Sequence, residues 1–244
     1  MQKIISYPIT VLFYLVFLLC LLVFHPIQWL CYNVFGYNAH RISVAVLNAF
    51  LVRSTHILGT SYTLIGKENL PVNVPVVFVA NHQSLYDIPP FIWFLRKWEP
   101  KFISKKELGK GIPSVSYNLR HGGSALIDRK DPKQALSAIK ECATYINKNK
   151  YSVVIFPEGT RSKTGKPKAF SANGLKMLYK FAPDAYFVPV TIENSWKMTR
   201  YGGSFPLGLG NKLVFTIHKA LKGSDYSFDD LFAKVEDNVT KSIK

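Results

Sequence analysis

Apolar and polar positions divide the chain into two unlike parts. Residues 4–24 form a stretch of 21 residues without formal charge. As a helix this stretch would span about 30 Å, the thickness of the hydrocarbon core of a bilayer. Residues 41–58 then show helical spacing of apolar positions. The pattern predicts membrane-anchoring helices over residues 1–60, either one crossing followed by an interfacial helix or a helical hairpin that dips into one leaflet.

Residues 61–244 alternate between predicted strands and helices. Two continuous apolar runs, 75–80 and 151–156, are typical of strands buried on both faces. Shorter strands are predicted at 62–65, 101–104, 124–127, 186–191 and 213–217, and helices at 88–95, 132–147, 174–181 and 228–243. This alternation predicts an α/β fold, a mainly parallel sheet flanked by helices, with the N-terminal membrane-embedded helical element attached.

Charge and composition narrow the classes of function. The 31 Lys and Arg residues against 15 Asp and Glu give a net charge of +16, and residues 1–60 contain no acidic residue. Because 48% of the residues are hydrophobic, a disordered chain is excluded. The positive charge suits anionic lipids or phosphorylated substrates. The chain carries no recognisable nucleic-acid module, so no nucleic-acid partner is expected. Three scattered cysteines predict neither a disulfide framework nor a metal site.

The first candidate for chemistry follows the apolar run 75–80. His82 and Asp87 lie five residues apart, at the carboxyl end of a buried strand, where open α/β sheets place their ligands. The Asp87 carboxylate is positioned to hold one imidazole nitrogen, which leaves the other nitrogen to remove a proton from an alcohol. The alternative interpretation is a capping Asp beside a structural His.

The second candidate follows the run 151–156. The segment from Glu158 through Gly159 and Thr160 to Arg161 combines a tight turn with groups that bind an anionic oxygen. Arg129, just beyond another predicted strand, could clamp a phosphate, and Lys105 could add a point charge. Taken singly, such basic residues are more often solvated surface charges.

These blocks together make the resemblance specific. The ordered set NHQSLYD (81–87), SKKEL (104–108) with IDR (127–129), FPEGTRS (156–162) and VPV (188–190) resembles the glycerolipid acyltransferase family, most closely 1-acylglycerol-3-phosphate (lysophosphatidic acid) acyltransferases. The resemblance implies that His82 and Asp87 are catalytic. It also implies that the acceptor's glycerol phosphate is bound by Arg129, Glu158, Gly159, Thr160 and Arg161, with Lys105 as a helper.

The resemblance also implies a reaction and a location. We expect acyl transfer from an acyl thioester, carried by coenzyme A or acyl carrier protein, to the sn-2 hydroxyl of lysophosphatidic acid, with no cofactor or metal. Membrane lipids are expected partners, at the cytoplasmic face of the membrane. Members of the family usually have two basic residues after the phenylalanine that follows FPEGTRS, whereas Phe170 here precedes Ser171 and Ala172. Another lysolipid acceptor therefore stays open as the alternative.

Overall fold

One sheet runs through the α/β part of the molecule. The computed structural model describes residues 1–243. Within them eight strands pair in the spatial order β1-β7-β6-β2-β5-β3-β4, with β8 against β6. The strands are β1 (Ser61–Ile65), β2 (Val76–Ala80), β3 (Pro100–Lys105), β4 (Ala125–Ile127), β5 (Ser152–Ile155), β6 (Tyr186–Glu193), β7 (Lys212–Ile217) and β8 (Leu221–Lys222). Only the pairs that β7 and β8 make with β6 are antiparallel among these strands. The predicted mainly parallel sheet is confirmed.

Helices cover both faces of this sheet. Those in the described residues are α1 (Gln2–Phe35), α2 (Tyr37–Ser54), α3 (Ile88–Phe94), α4 (Val115–His121), α5 (Pro132–Asn149), α6 (Ala172–Phe181) and α7 (Phe228–Lys241). Alternate residues of β2 point to opposite faces: Val77 and Val79 pack with α5, α6 and α7, whereas Val76 and Phe78 pack with α1 and α3. Because both faces are covered, β2 and β5 are apolar and buried along their length.

Helices α1 and α2 form an antiparallel hairpin. The ring of Phe24 lies 5.7 Å from that of Phe50, and Tyr32 lies 5.5 Å from His40, so the second helix returns along the first. Gly36 joins them with φ of 78°, a backbone conformation that favours glycine. How this hairpin is placed in a membrane stays a prediction.

One side of α1 packs on the protein and the other is apolar and exposed. Phe13 is fully buried in the core of the sheet, with its ring 5.8 Å from that of Tyr86. The exposed apolar side chains of α1 are Ile4, Ile5, Tyr7, Val11, Leu12, Leu15, Leu18, Leu19, Leu22, Val23, Ile27, Trp29, Leu30, Val34 and Phe35. By length and composition, α1 alone among the helices of residues 1–243 could cross a membrane.

Two features depart from the sequence pattern. Helix α1 continues through Pro26 to Phe35, although an internal proline removes a helical hydrogen bond. The far end of the helix is held to α4, since the Asn33 amide donates to the Tyr117 hydroxyl at 2.9 Å. Helix α4 was not predicted because its buried positions are partly polar: Ser116, Tyr117 and Leu119.

Candidate active site

The predicted histidine and aspartate meet at the carboxyl end of β2. The Asp87 carboxylate is fully buried, and its Oδ2 lies 2.8 Å from Nδ1 of His82. The same oxygen accepts from the backbone N–H groups of Gln83 at 2.8 Å and Ser84 at 2.9 Å. Three contacts to one oxygen fix the carboxylate and therefore the orientation of the ring. The His82 side chain remains 18% exposed, so Nε2 is the nitrogen left for a reacting group.

Local sequence explains why the chain turns here. Asn81 ends the strand by exchanging two hydrogen bonds with the backbone of Ile192 on β6, one at 2.8 Å and one at 2.7 Å. Ser84 then caps the short 3-10 helix Leu85–Asp87, and its hydroxyl accepts from the Tyr86 N–H. The turn places His82 and Asp87 on the same side of the loop.

An aromatic ring stacks on one face of the His82 imidazole. Phe156, the first residue after β5, stacks on His82 with ring centroids 4.1 Å apart and an angle of 19° between the planes. Phe91 of α3 in turn meets the edge of Phe156 at 6.1 Å. Sequence reasoning missed this role, although Phe156 is the first residue of the FPEGTRS block. Parallel pairing of β2 with β5 brings the two segments together.

Glu158 holds the two loops together. Its Oε1 accepts from the His82 N–H at 2.8 Å and its Oε2 from the Lys168 N–H at 3.0 Å. In return, the His82 carbonyl accepts from the Ser162 N–H at 2.7 Å. Burial raises the pKa of the Glu158 carboxyl, and the two backbone donors oppose that shift. Each oxygen accepts one backbone hydrogen bond, and these contacts correspond to a positioning role.

The other residues of the FPEGTRS block lie around these contacts of Glu158. Gly159 has φ of 68°, a turn conformation that suits glycine. The Thr160 hydroxyl accepts from Nζ of Lys168 at 2.7 Å, and the same Nζ donates to the Arg161 carbonyl at 3.2 Å. The Thr160 and Arg161 side chains are exposed. Lys168 was missed by sequence reasoning; the basic run after the motif is the only signal for it.

The sheet register aligns the remaining predicted cations along the same edge. Phe78 of β2, Val154 of β5 and Phe102 of β3 lie level with one another, and Ile103 pairs with Ala125 of β4. Lys105 lies three residues further along β3, whereas His82, Glu158 and Arg129 lie in the loops just beyond the carboxyl ends of β2, β5 and β4. Neighbouring strands are about 4.8 Å apart, so β2 and β4, which lead to His82 and Arg129, are about 14 Å apart in the sheet.

This edge is strongly cationic. In residues 1–243, no carboxylate lies within ion-pair distance of Lys105, Arg129 or Arg161. All three side chains are exposed. An oriented imidazole beside such a row is suited to deprotonate an alcohol that belongs to an anionic molecule.

A third loop closes the site from the side of β6. Gln83 accepts from the Trp196 N–H at 3.3 Å and donates to the Gly165 carbonyl at 3.3 Å. The Ser84 hydroxyl is hydrogen-bonded to that of Ser195. Residues 195–207 therefore join the turn that carries His82 and Asp87.

The same loop also contacts the first helix. Thr10 of α1 accepts from the Leu207 N–H at 3.0 Å, and the Tyr14 hydroxyl donates to the Ser204 carbonyl. Helix α1 is thereby linked through this loop to the turn that carries His82.

Comparison with known proteins decides the family. Residues 61–193, more than half of the chain, match the protein family described as Acyltransferase. The chain belongs to the acyltransferase family. The family resemblance of the four sequence blocks is thereby confirmed.

Several relatives of this acyltransferase carry the same name. A chloroplast 1-acyl-sn-glycerol-3-phosphate acyltransferase of Arabidopsis thaliana is 34% identical over 160 residues, which cover 65% of this chain but only 43% of that protein. The protein of that name from Borreliella burgdorferi is 26% identical over 205 residues, 84% of this chain and 80% of its own. The crystal structure of the 1-acyl-sn-glycerophosphate (LPA) acyltransferase of Thermotoga maritima superposes with a TM-score of 0.82 and 25% identity, covering 100% of this chain and 96% of that one.

Proposed function

We propose that this acyltransferase moves a fatty acyl group from an acyl thioester to the sn-2 hydroxyl of lysophosphatidic acid, giving phosphatidic acid. The observation that carries the proposal is the His82–Asp87 contact of 2.8 Å at one end of a row of exposed cations. The names of the relatives from Arabidopsis thaliana and Borreliella burgdorferi support the same acceptor.

The proposed chemistry needs only one proton acceptor. Nε2 of His82 takes the proton of the acceptor hydroxyl while that oxygen attacks the thioester carbonyl carbon. Asp87 holds the ring and stabilises the imidazolium that forms. As the carbon–sulfur bond breaks, the thiolate leaves and receives the proton back from His82. Base catalysis of this kind is worth about 10²–10⁴-fold, and positioning of the two substrates supplies much of the remainder.

The cationic edge selects the acceptor. Arg129 and Arg161, helped by Lys105, bind the acceptor's phosphate and so set the hydroxyl near His82. A guanidinium binds phosphate oxygens in pairs, which gives direction as well as charge. In this proposal Glu158 orients His82, and Gly159 and Thr160 shape the turn that presents Arg161.

The hairpin of α1 and α2 brings the site to its lipid substrate. The apolar side chains exposed along α1 support insertion into a bilayer at the cytoplasmic face, where acyl thioesters are available. The basic body of the protein favours an anionic surface. The acyl donor is a coenzyme A or acyl carrier protein thioester, both of which are acidic.

A panel of acceptors at a fixed concentration of acyl-coenzyme A tests the proposal. Thiol release and product mass are measured for lysophosphatidic acid, for lysophospholipids with larger headgroups and for a lyso-aminolipid. We expect kcat/KM for lysophosphatidic acid to exceed that for the others by at least about tenfold, because only its phosphate is unhindered. Preference for another acceptor would replace the proposal with the alternative lysolipid. Absence of thiol release with every acceptor, from an acyl-coenzyme A and from an acylated acyl carrier protein alike, would contradict acyl transfer itself.

A further inference from the structure

A second cleft lies away from the catalytic edge. It has a volume of about 310 Å³ and is enclosed by α2, by the segment from α3 to the start of β3, and by the end of α4. Lys101 at its base is level with Val77 in the sheet, five residues before His82. At about 3.3 Å per residue, the cleft lies about 16 Å from the catalytic turn along the strands. Nothing in the proposed acyl transfer uses it.

The cleft carries more positive charge than its single carboxylate can neutralise. Arg41, Arg96, Lys97 and Lys101 line it together with Glu99. Glu99 lies 3.0 Å from the Arg41 guanidinium and 3.3 Å from Nζ of Lys101, so two cations share one anion. No carboxylate of residues 1–243 lies within ion-pair distance of Arg96 or Lys97. The formal surplus in the cleft is therefore three positive charges.

The polar groups at the base are deeply buried. Lys101 is only 5% exposed, and burial lowers its pKa, with Glu99 opposing that shift. Its ammonium also contacts the Tyr37 hydroxyl. His40 is 1% exposed and lines the same cleft, and neither of its ring nitrogens has a hydrogen-bond partner within the described residues. Groups of this kind would be stabilised by an anion that accepts their hydrogen bonds.

The walls of the cleft are apolar and continue onto an exposed surface. Ile92 and Trp93 form one wall, and the Arg96 guanidinium stacks 4.1 Å from the Trp93 ring. Ile42 and Val46 of α2 line the opposite side and are 57% and 37% exposed. A ligand that fits must therefore join an anionic group to an apolar chain.

We propose that this cleft binds the headgroup of an anionic phospholipid from the leaflet that holds the hairpin, with the acyl chains along Ile42 and Val46. A free phosphate ion would satisfy the cations but leave the apolar walls exposed to water. A zwitterionic lipid would fill the walls but bring its own cation next to Arg96 and Lys97. The inference depends on the proposed function only in placing α1 and α2 at a membrane.

Native mass spectrometry of the full chain in detergent, without acyltransferase substrates, tests this site. Added phosphatidylglycerol should form a one-to-one adduct that phosphatidylcholine does not match. The double variant Arg96→Gln/Lys97→Gln should bind phosphatidylglycerol at least about tenfold more weakly, because it removes the two unpaired cations. The matched control is Lys133→Gln/Lys148→Gln, which removes two exposed lysines from α5 across the sheet and should bind as the unaltered chain does.

A second variant separates charge from shape. Ala45 lines the cleft, so Ala45→Phe should fill it and weaken the adduct without any change of charge. Thermal unfolding establishes that each variant is folded before it is compared. Equal phosphatidylglycerol binding by all variants, equal binding of phosphatidylcholine, or displacement by millimolar inorganic phosphate would overturn the proposal. Because no acyl transfer is measured, an inactive protein that still forms the adduct would contradict the proposed function and leave this site standing.

Discussion

Replacing Glu158 with glutamine separates a positioning role from a phosphate-binding role. Glu158 accepts one hydrogen bond from the backbone of His82 at 2.8 Å and another from that of Lys168 at 3.0 Å. Glutamine keeps one acceptor oxygen and turns an NH2 group toward the other N–H donor. One of the two bonds is therefore lost, and the loop that carries His82 loses part of its support.

The expected loss of kcat follows from the strength of the hydrogen bond that is removed. A hydrogen bond to a charged acceptor is worth about 1.5–3 kcal/mol, which corresponds to about 10- to 150-fold in rate if it is felt wholly in the transition state. Glu158 is half-buried, so the lower end applies. We expect kcat to fall about tenfold. The KM for lysophosphatidic acid should change little, because Glu158 contacts none of Lys105, Arg129 and Arg161.

Steady-state kinetics with varied acceptor measures both parameters. Glu158→Asp should also lose activity, since the shorter side chain cannot reach both backbone donors, whereas Glu141→Gln on the exposed side of α5 should behave as the unaltered enzyme. Thermal unfolding controls for a general loss of stability. A large rise in the acceptor KM with an unchanged kcat would refute the positioning role of Glu158. It would support the phosphate-binding role that the family resemblance implies.

Three further changes test other parts of the site. Arg129→Ala should raise the KM for lysophosphatidic acid far more than the KM for the acyl donor, as measured by varying each substrate in turn. Phe156→Ala should lower kcat by about two- to tenfold because the imidazole loses its stacking partner, and Phe156→Leu should recover part of the loss. Burial raises the pKa of Cys142 to about 12, so its thiol is protonated at pH 8 and should resist iodoacetamide until the protein is denatured.

Each of these three predictions has a result that would contradict it. Equal effects of Arg129→Ala on donor and acceptor would argue against a phosphate clamp. An unchanged kcat in Phe156→Ala would show that Asp87 alone orients the ring. Rapid alkylation of Cys142 in the folded protein, located by peptide mass spectrometry, would contradict its burial between α5 and the sheet.

The predictable parts of the fold are those in which one physical requirement dominates a segment. Strands β2 and β5 are buried on both faces, so their sequences are continuously apolar and their positions were predicted to within a residue or so. The same requirement placed the two motif blocks at one edge of the sheet, because each block directly follows one of these strands.

The rest depends on contacts between distant segments. Helix α4 buries Ser116 in hydrogen bonds to residues 108 and 112, a pattern with no apolar period. The sequence does not reveal that Glu158 accepts hydrogen bonds from two backbone N–H groups, 76 and 10 residues away. The stacking of Phe156 on His82 was likewise not predicted, because it depends on the pairing of β2 with β5.

The most direct test of the central claim is thiol release by His82→Ala with acyl-coenzyme A and lysophosphatidic acid. His56→Gln is the matched control, because His56 is an exposed histidine in the 3-10 helix Thr55–Leu58 that follows α2; thermal unfolding verifies that both variants are folded. If Nε2 of His82 is the base, His82→Ala should lose about 10²–10⁴-fold in kcat, whereas His56→Gln should retain its activity. A folded His82→Ala enzyme that releases thiol at more than about a tenth of the normal rate would contradict the assignment of His82 as the base.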